Sequence, residues 1–160
     1  MTTDLSIDLS IDLRAATTQV RDPERFQLSF GHACAQRVRH LLEDEEVIGC
    51  LDVLGDYLAG RVDRAVLLTR AARAAELARH HPGSRSLDGV GHAAVSASHA
   101  VANALAGRAS QAADYAAYAV VYGEGGYGAV GDADSYLPER TWQQATLQRL
   151  AATEAGASRA

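Results

Sequence analysis

Lysine is missing from this chain of 160 residues, and all 15 of its basic side chains are arginines. Set against 20 aspartates and glutamates they leave a net charge of −5. The positive excess that a nucleic-acid binder needs is therefore lacking. The preference for arginine over lysine reads as coding bias rather than chemistry. Cysteine is scarce too: Cys34 and Cys50 are the only two. They make no disulfide framework and fit no metal-ligand spacing, so both read as buried thiols. In an antiparallel hairpin turning at Asp44–Glu45, they sit about five residues out of register. That is ~7.5 Å along a helix axis, beyond the reach of a disulfide. No apolar run approaches the ~20 residues of a membrane span, and no basic stretch followed by an apolar one opens the chain as a signal peptide would. Aromatic residues make up only 6%.

What the sequence has is alanine, within a hydrophobic share of 48%. Length and composition point to one globular domain, soluble and cytoplasmic. The first residues alternate strictly: Leu5, Ile7, Leu9, Ile11 and Leu13 against Asp4, Ser6, Asp8, Ser10 and Asp12. Period two is the signature of a half-buried strand, but no second alternating run exists to pair with it. The reading is an extended arm over residues 1–9 followed by a short helix from Ser10, with pairing across a homodimer and a helical run as the other readings. An all-helical domain over residues 10–153 and a frayed tail over 154–160 complete the chain. The fold class is all-α, a single-domain bundle of about six helices with an extended N-terminal arm.

Punctuation marks the helices. A short one runs from Ser10 to about Val20. Asp22-Pro23-Glu24 opens a second that reaches about Glu43, with Arg37 inside its apolar stripe. A third spans about Glu45 to Ala59 and stops at Gly60, and a fourth, capped by Asp63, runs to about His80. A fifth covers about Leu87 to Ala106, ended by Gly107, and a sixth Ser110 to about Tyr122. Residues 123–137 read as a loop, and a last helix starts at Pro138. Gly123, Gly125 and Gly128 spell a GxGxxG, but after a helix rather than a strand, so the dinucleotide-binding context is missing.

The helix around residues 90–105 carries the chemistry. It has no charged residue, which marks a helix buried all round. Yet His92, Ser96, His99 and Asn103 fall within a stripe of roughly 60° at ~100° per residue. Such a stripe is an internal hydrogen-bond network, the wall of a pocket for a ligand or a toxin, or a metal site. His92 and His99 are two turns, ~10.5 Å, apart, too far to share one zinc, so no metal and no cofactor are expected. Tyr115, Tyr118 and Tyr122 share one side of the next helix with Asp114 beside them. Antiparallel packing brings Tyr115 near the level of residues 100–105 and Tyr122 near 92–95, so that His92, His99 and a tyrosine border one cavity. A histidine paired with Asp114 or a tyrosine could do acid–base work. Arg37 needs a carboxylate, and Glu43, Asp88 and Asp114 are the candidates. Glu43, Asp44, Glu45 and Glu46 crowd one helix–helix turn, either a solvated turn or a landing surface for a basic partner.

The same segments resemble a family of bacterial all-helical immunity proteins found with polymorphic toxins. The resemblance starts at Asp12-Leu13-Arg14 and runs through Cys34-Ala35-x-Arg37-Val38 and Glu43. It is clearest at Gly91-His92-Ala93-Ala94-Val95 and His99, and ends on Trp142-Gln143. The family often has a histidine where this chain has Asn103. The resemblance implies a cytoplasmic protein that binds and neutralises a toxin, with Glu43, Glu45 and Glu46 as a partner surface. The alternative is a small biosynthetic enzyme or ligand-binding protein using His92 and His99 as acid–base groups, with Arg37, Ser96, Asn103, Asp114, Tyr115, Tyr118 and Tyr122 around the ligand.

Overall fold

The computed structural model describes residues 5–81 and 90–157. They are all-helical, with seven α-helices rather than about six: α1 (Leu5–Thr17), α2 (Pro23–Arg37), α3 (Glu45–Leu58), α4 (Arg64–Arg79), α5 (Val90–Leu105), α6 (Ala109–Val130) and α7 (Leu137–Ala157). Two short 3-10 turns, Arg39–Leu41 and Ala133–Tyr136, link α2 to α3 and α6 to α7. No helix among the described residues is long and apolar enough to cross a membrane.

The alternating N-terminal run is helical from Leu5 onward, so the extended arm over residues 1–9 is corrected; residues 1–4 lie outside the described residues. The reason is arithmetic. A period-two pattern also places apolar residues at i and i+4, which a helix stacks on one face. Leu9 and Leu13 are buried, while Ile11, about 200° round from Leu9, is 57% exposed. α1 packs on α7, which supplies the burial a lone strand could not find in the chain. The argument for a homodimer paired through this segment falls with the strand.

Caps set most of the other boundaries. Asp22 accepts a hydrogen bond from the Arg25 amide ahead of Pro23, Asp44 from Glu46, and Asp63 from Val66. α2 ends at Arg37, six residues before the expected Glu43, because the chain tightens into the turn at Arg39–Leu41. The expected loop over 123–137 is mostly helical. α6 runs on past Tyr122 and bends at Gly126, whose φ of 64° and ψ of −153° suit only glycine, and the turn at Ala133–Tyr136 follows. α7 continues to Ala157, so residues 154–157 of the expected frayed tail are helical. The expected start of the fifth helix at Leu87 lies outside the described residues.

α5 is the central element, packed by α6, α4, α2 and α3. Ala93, Ala94, Ala97, Ala100 and Ala104 are fully buried along it, facing a similar row in α6 at Ala112, Ala113, Ala116, Ala117 and Ala119. Small side chains let the helix axes approach, and dense packing follows from backbone proximity rather than from large interdigitating residues. The α2–α5 crossing is tight enough that a Cβ on Gly31 would lie 3.2 Å from the Ala104 Cα. The bulky core is on the other side: Phe26, Phe30, Leu51 and Leu54 fill the space between α2 and α3, with the free, buried Cys34 and Cys50. Ala100→Glu places an unpaired charge in this alanine seam and is expected to abolish cooperative folding, whereas Ala72→Glu on the exposed side of α4 should change stability by no more than about 0.5 kcal/mol in urea unfolding.

Candidate functional site

The antiparallel α5–α6 pair has the register that the tyrosine spacing implied. His99 stacks on Tyr115 with ring centroids 5.0 Å apart, and His92 stacks on Tyr122 at 5.4 Å. The two imidazoles face one side of the pair, but as separate rungs, each lying flat on its own tyrosine. Tyr118 does not join them: it is 43% exposed and meets the edge of Tyr136. His92 is exposed, Ser96 and His99 are half-buried, and Asn103 closes the helix end, donating to the His99 carbonyl and accepting from Arg108 Nε at 2.8 Å each. Burial holds the His99 imidazole below its usual range, and His81 nearby adds to the effect.

Arg37 and Asp114 find partners other than the expected ones. Arg37 Nε donates to both oxygens of Glu139 at 3.2 Å, and its guanidinium carbon lies 4.6 Å over the Trp142 ring. Neither Glu43 nor Asp114 is its carboxylate, and Asp88 lies outside the described residues. Asp114 instead accepts from Arg140, which is buried and also donates to Gln143 at 2.9 Å. Gln143 in turn donates to the Ala113 carbonyl at 2.8 Å. α2, α6 and α7 are thus joined at one end of the bundle by a polar network that runs between them. Cys34 lies beneath it. Burial pushes its thiol up, with Glu139 adding to that, so it is no nucleophile.

Beside this network opens a groove of about 460 Å³, lined by Arg37, His40, Leu41, Val120, Gly123, Glu124 and Glu139. Glu139 is 3% exposed, and burial raises its carboxyl above the ordinary range although Arg37 pulls the other way and Glu124 adds to the rise. Gly123 keeps the wall thin, because a Cβ there would lie 3.3 Å from Leu41. Sequence reasoning singled out Arg37 but missed Glu139, Glu124 and His40. Pro138-Glu139 reads as an ordinary acidic first turn of a helix, and the residues at Gly123 and Glu124 had been assigned to a loop. Trp142-Gln143 was visible only through the resemblance.

The acidic turn is less free than its sequence suggests. Glu46 pairs with Arg73, Asp52 with Arg39 and Asp56 with Arg61. Asp44 is occupied as the cap of α3. Glu43 and Glu45 are exposed and carry no ion pair among the described residues. Among the described residues no three histidine, cysteine or acidic side chains converge as a metal site.

Two titrations check this geometry. Followed by NMR, the His99 imidazole should titrate below 6.5, and His81→Asn should bring it closer to 6.5. The raised Glu139 carboxyl binds its proton more readily in the folded state, so folding stability should decline as pH rises from about 4.5 through the folded value. Glu139→Gln should remove that part of the slope in urea unfolding measured from pH 4 to 7. Comparison with known proteins found no matching family model, no matching curated protein and no matching solved structure.

Proposed function

We propose that this chain acts by binding, as an immunity-type protein that holds and neutralises a basic toxin through the end of the bundle where the α2–α3 turn meets the groove. The observation that supports the reading is a group of exposed acids at this end that carry no ion pair among the described residues. Glu24, Glu46, Asp52, Asp56 and Glu76 are each paired with an arginine, whereas Glu43 and Glu45 at the turn and Glu124 at the groove are exposed and have no ion-pair partner among the described residues. Uncompensated carboxylates at a rim steer a cationic partner and contribute to its on-rate. Three residues of the resemblance lie at this end: Arg37 sits over Trp142, and Gln143 accepts from Arg140. A binding role also suits a site whose polar groups are already hydrogen-bonded to one another.

The alternative, an enzyme using His92 and His99, draws support from the lowered His99 pKa, which keeps that ring neutral and able to accept a proton near pH 7. The two rings lie on separate tyrosines, His92 on Tyr122 and His99 on Tyr115.

The test is protection. If the gene beside this one encodes a growth-inhibiting product, cells expressing that product should recover growth when this chain is co-expressed. The double variant Glu43→Lys/Glu45→Lys should lose that protection while keeping its helical content, and His99→Ala should retain it. A non-toxic neighbour, or full protection by the charge-reversed variant, overturns the reading.

A further inference from the structure

Arg37 is held in an unusual way for a surface arginine. Its Nε is committed to the buried Glu139, and its flat face is supported by Trp142. Its hydrogen bonds to the described residues run from Nε alone, so among these residues both terminal nitrogens have no acceptor at the wall of a groove of about 460 Å³. An arginine left to water sweeps through many rotamers; this one is fixed, with two donors in the fork geometry that matches a carboxylate. The remaining lining sets the rest of the chemistry. Leu41 and Val120 supply an apolar wall. Glu124 and Glu139 place negative charge close by, which disfavours a bare anion and favours a carboxylate that carries its own cation.

We propose that the groove is a recognition site for a carboxylate flanked by an ammonium or guanidinium group, with Arg37 taking the carboxylate and Glu124 the cation. This does not depend on the toxin reading. The chemistry has two sources, a free amino-acid-type zwitterion or an aspartate beside a basic residue on a partner protein.

Trp142 is the single tryptophan, so its fluorescence reports on the groove without a label. The whole chain is titrated with free L-lysine and, separately, with the capped tripeptide Lys-Asp-Lys. Lysine methyl ester and capped Lys-Asn-Lys are the matched probes without the carboxylate. A saturable response to lysine alone identifies a free zwitterion as the ligand class, and a response to the tripeptide identifies a partner's side chain. No response to either, or an equal response to the carboxylate-free probes, overturns the proposal. Arg37→Gln should weaken binding about tenfold or more. Because that substitution also unpairs Glu139, Glu124→Gln provides a second test that leaves the Arg37 clamp intact; it too should weaken binding, with circular dichroism unchanged. Unchanged affinity in either folded variant refutes the assignment. No toxin enters this titration, so its failure leaves the protection result standing, and the converse holds.

Discussion

The close approach of α5 to its neighbours is the constraint on which the rest of the structure depends. Alanine and glycine at the α5–α6 and α2–α5 crossings bring backbones together, to the point where even one methyl group on Gly31 would press on Ala104. Packing of this kind offers little tolerance, because small residues have no long side chains to rearrange. It also has a chemical consequence. With the middle of the bundle filled by methyl groups, polar side chains are driven to the flank of α5 and α6 and to the end where α2, α6 and α7 meet.

That end is where the charges cease to be merely solvated. Three arginines bridge neighbouring elements on the surface: Arg39 to Asp52, Arg64 to Glu24, Arg73 to Glu46. Exposed pairs of this sort contribute little each. Arg140 differs, being buried and divided between Asp114 and Gln143. Removing one member of such a network leaves another without its partner, which is the costly event. Arg37 is intermediate: half its side chain is packed, its Nε is paired, and the rest faces the groove. A rigid polar floor under a solvent-open groove is what a recognition surface requires, since the ordering cost has been met in folding and not at the moment of binding.

The histidine rungs have a different character. Stacking on Tyr115 and Tyr122 ties α5 to α6 along their shared flank, and Asn103 finishes the helix end by bonding Arg108 and the His99 carbonyl. Aromatic stacking stabilises such a pair by about 0.5–1.5 kcal/mol. The rungs therefore give α5, whose alanine faces carry no specific register, a fixed position against α6.

Local chemistry, legible in the chain itself, determined the helical class, the capped starts at Asp22, Asp44 and Asp63, the stops at Gly60 and Gly107 and the central uncharged helix. These depend on spacing and on neighbours a few residues away. Tertiary structure decided the rest. Leu9 and Leu13 became a helix face because α7 was there to cover them, and a period-two pattern over so short a run does not distinguish strand from helix. The partner of Arg37 is 102 residues away on α7, and no local signal separates Glu139 from any other acid in a first helical turn. The groove exists only where three distant segments meet, and the freedom of Glu43 and Glu45 against the capture of Glu46 depends on where α4 sets Arg73. Ion pairs between helices follow from the packing of methyl groups, and a sequence records the methyl groups more directly than it records what they bring together.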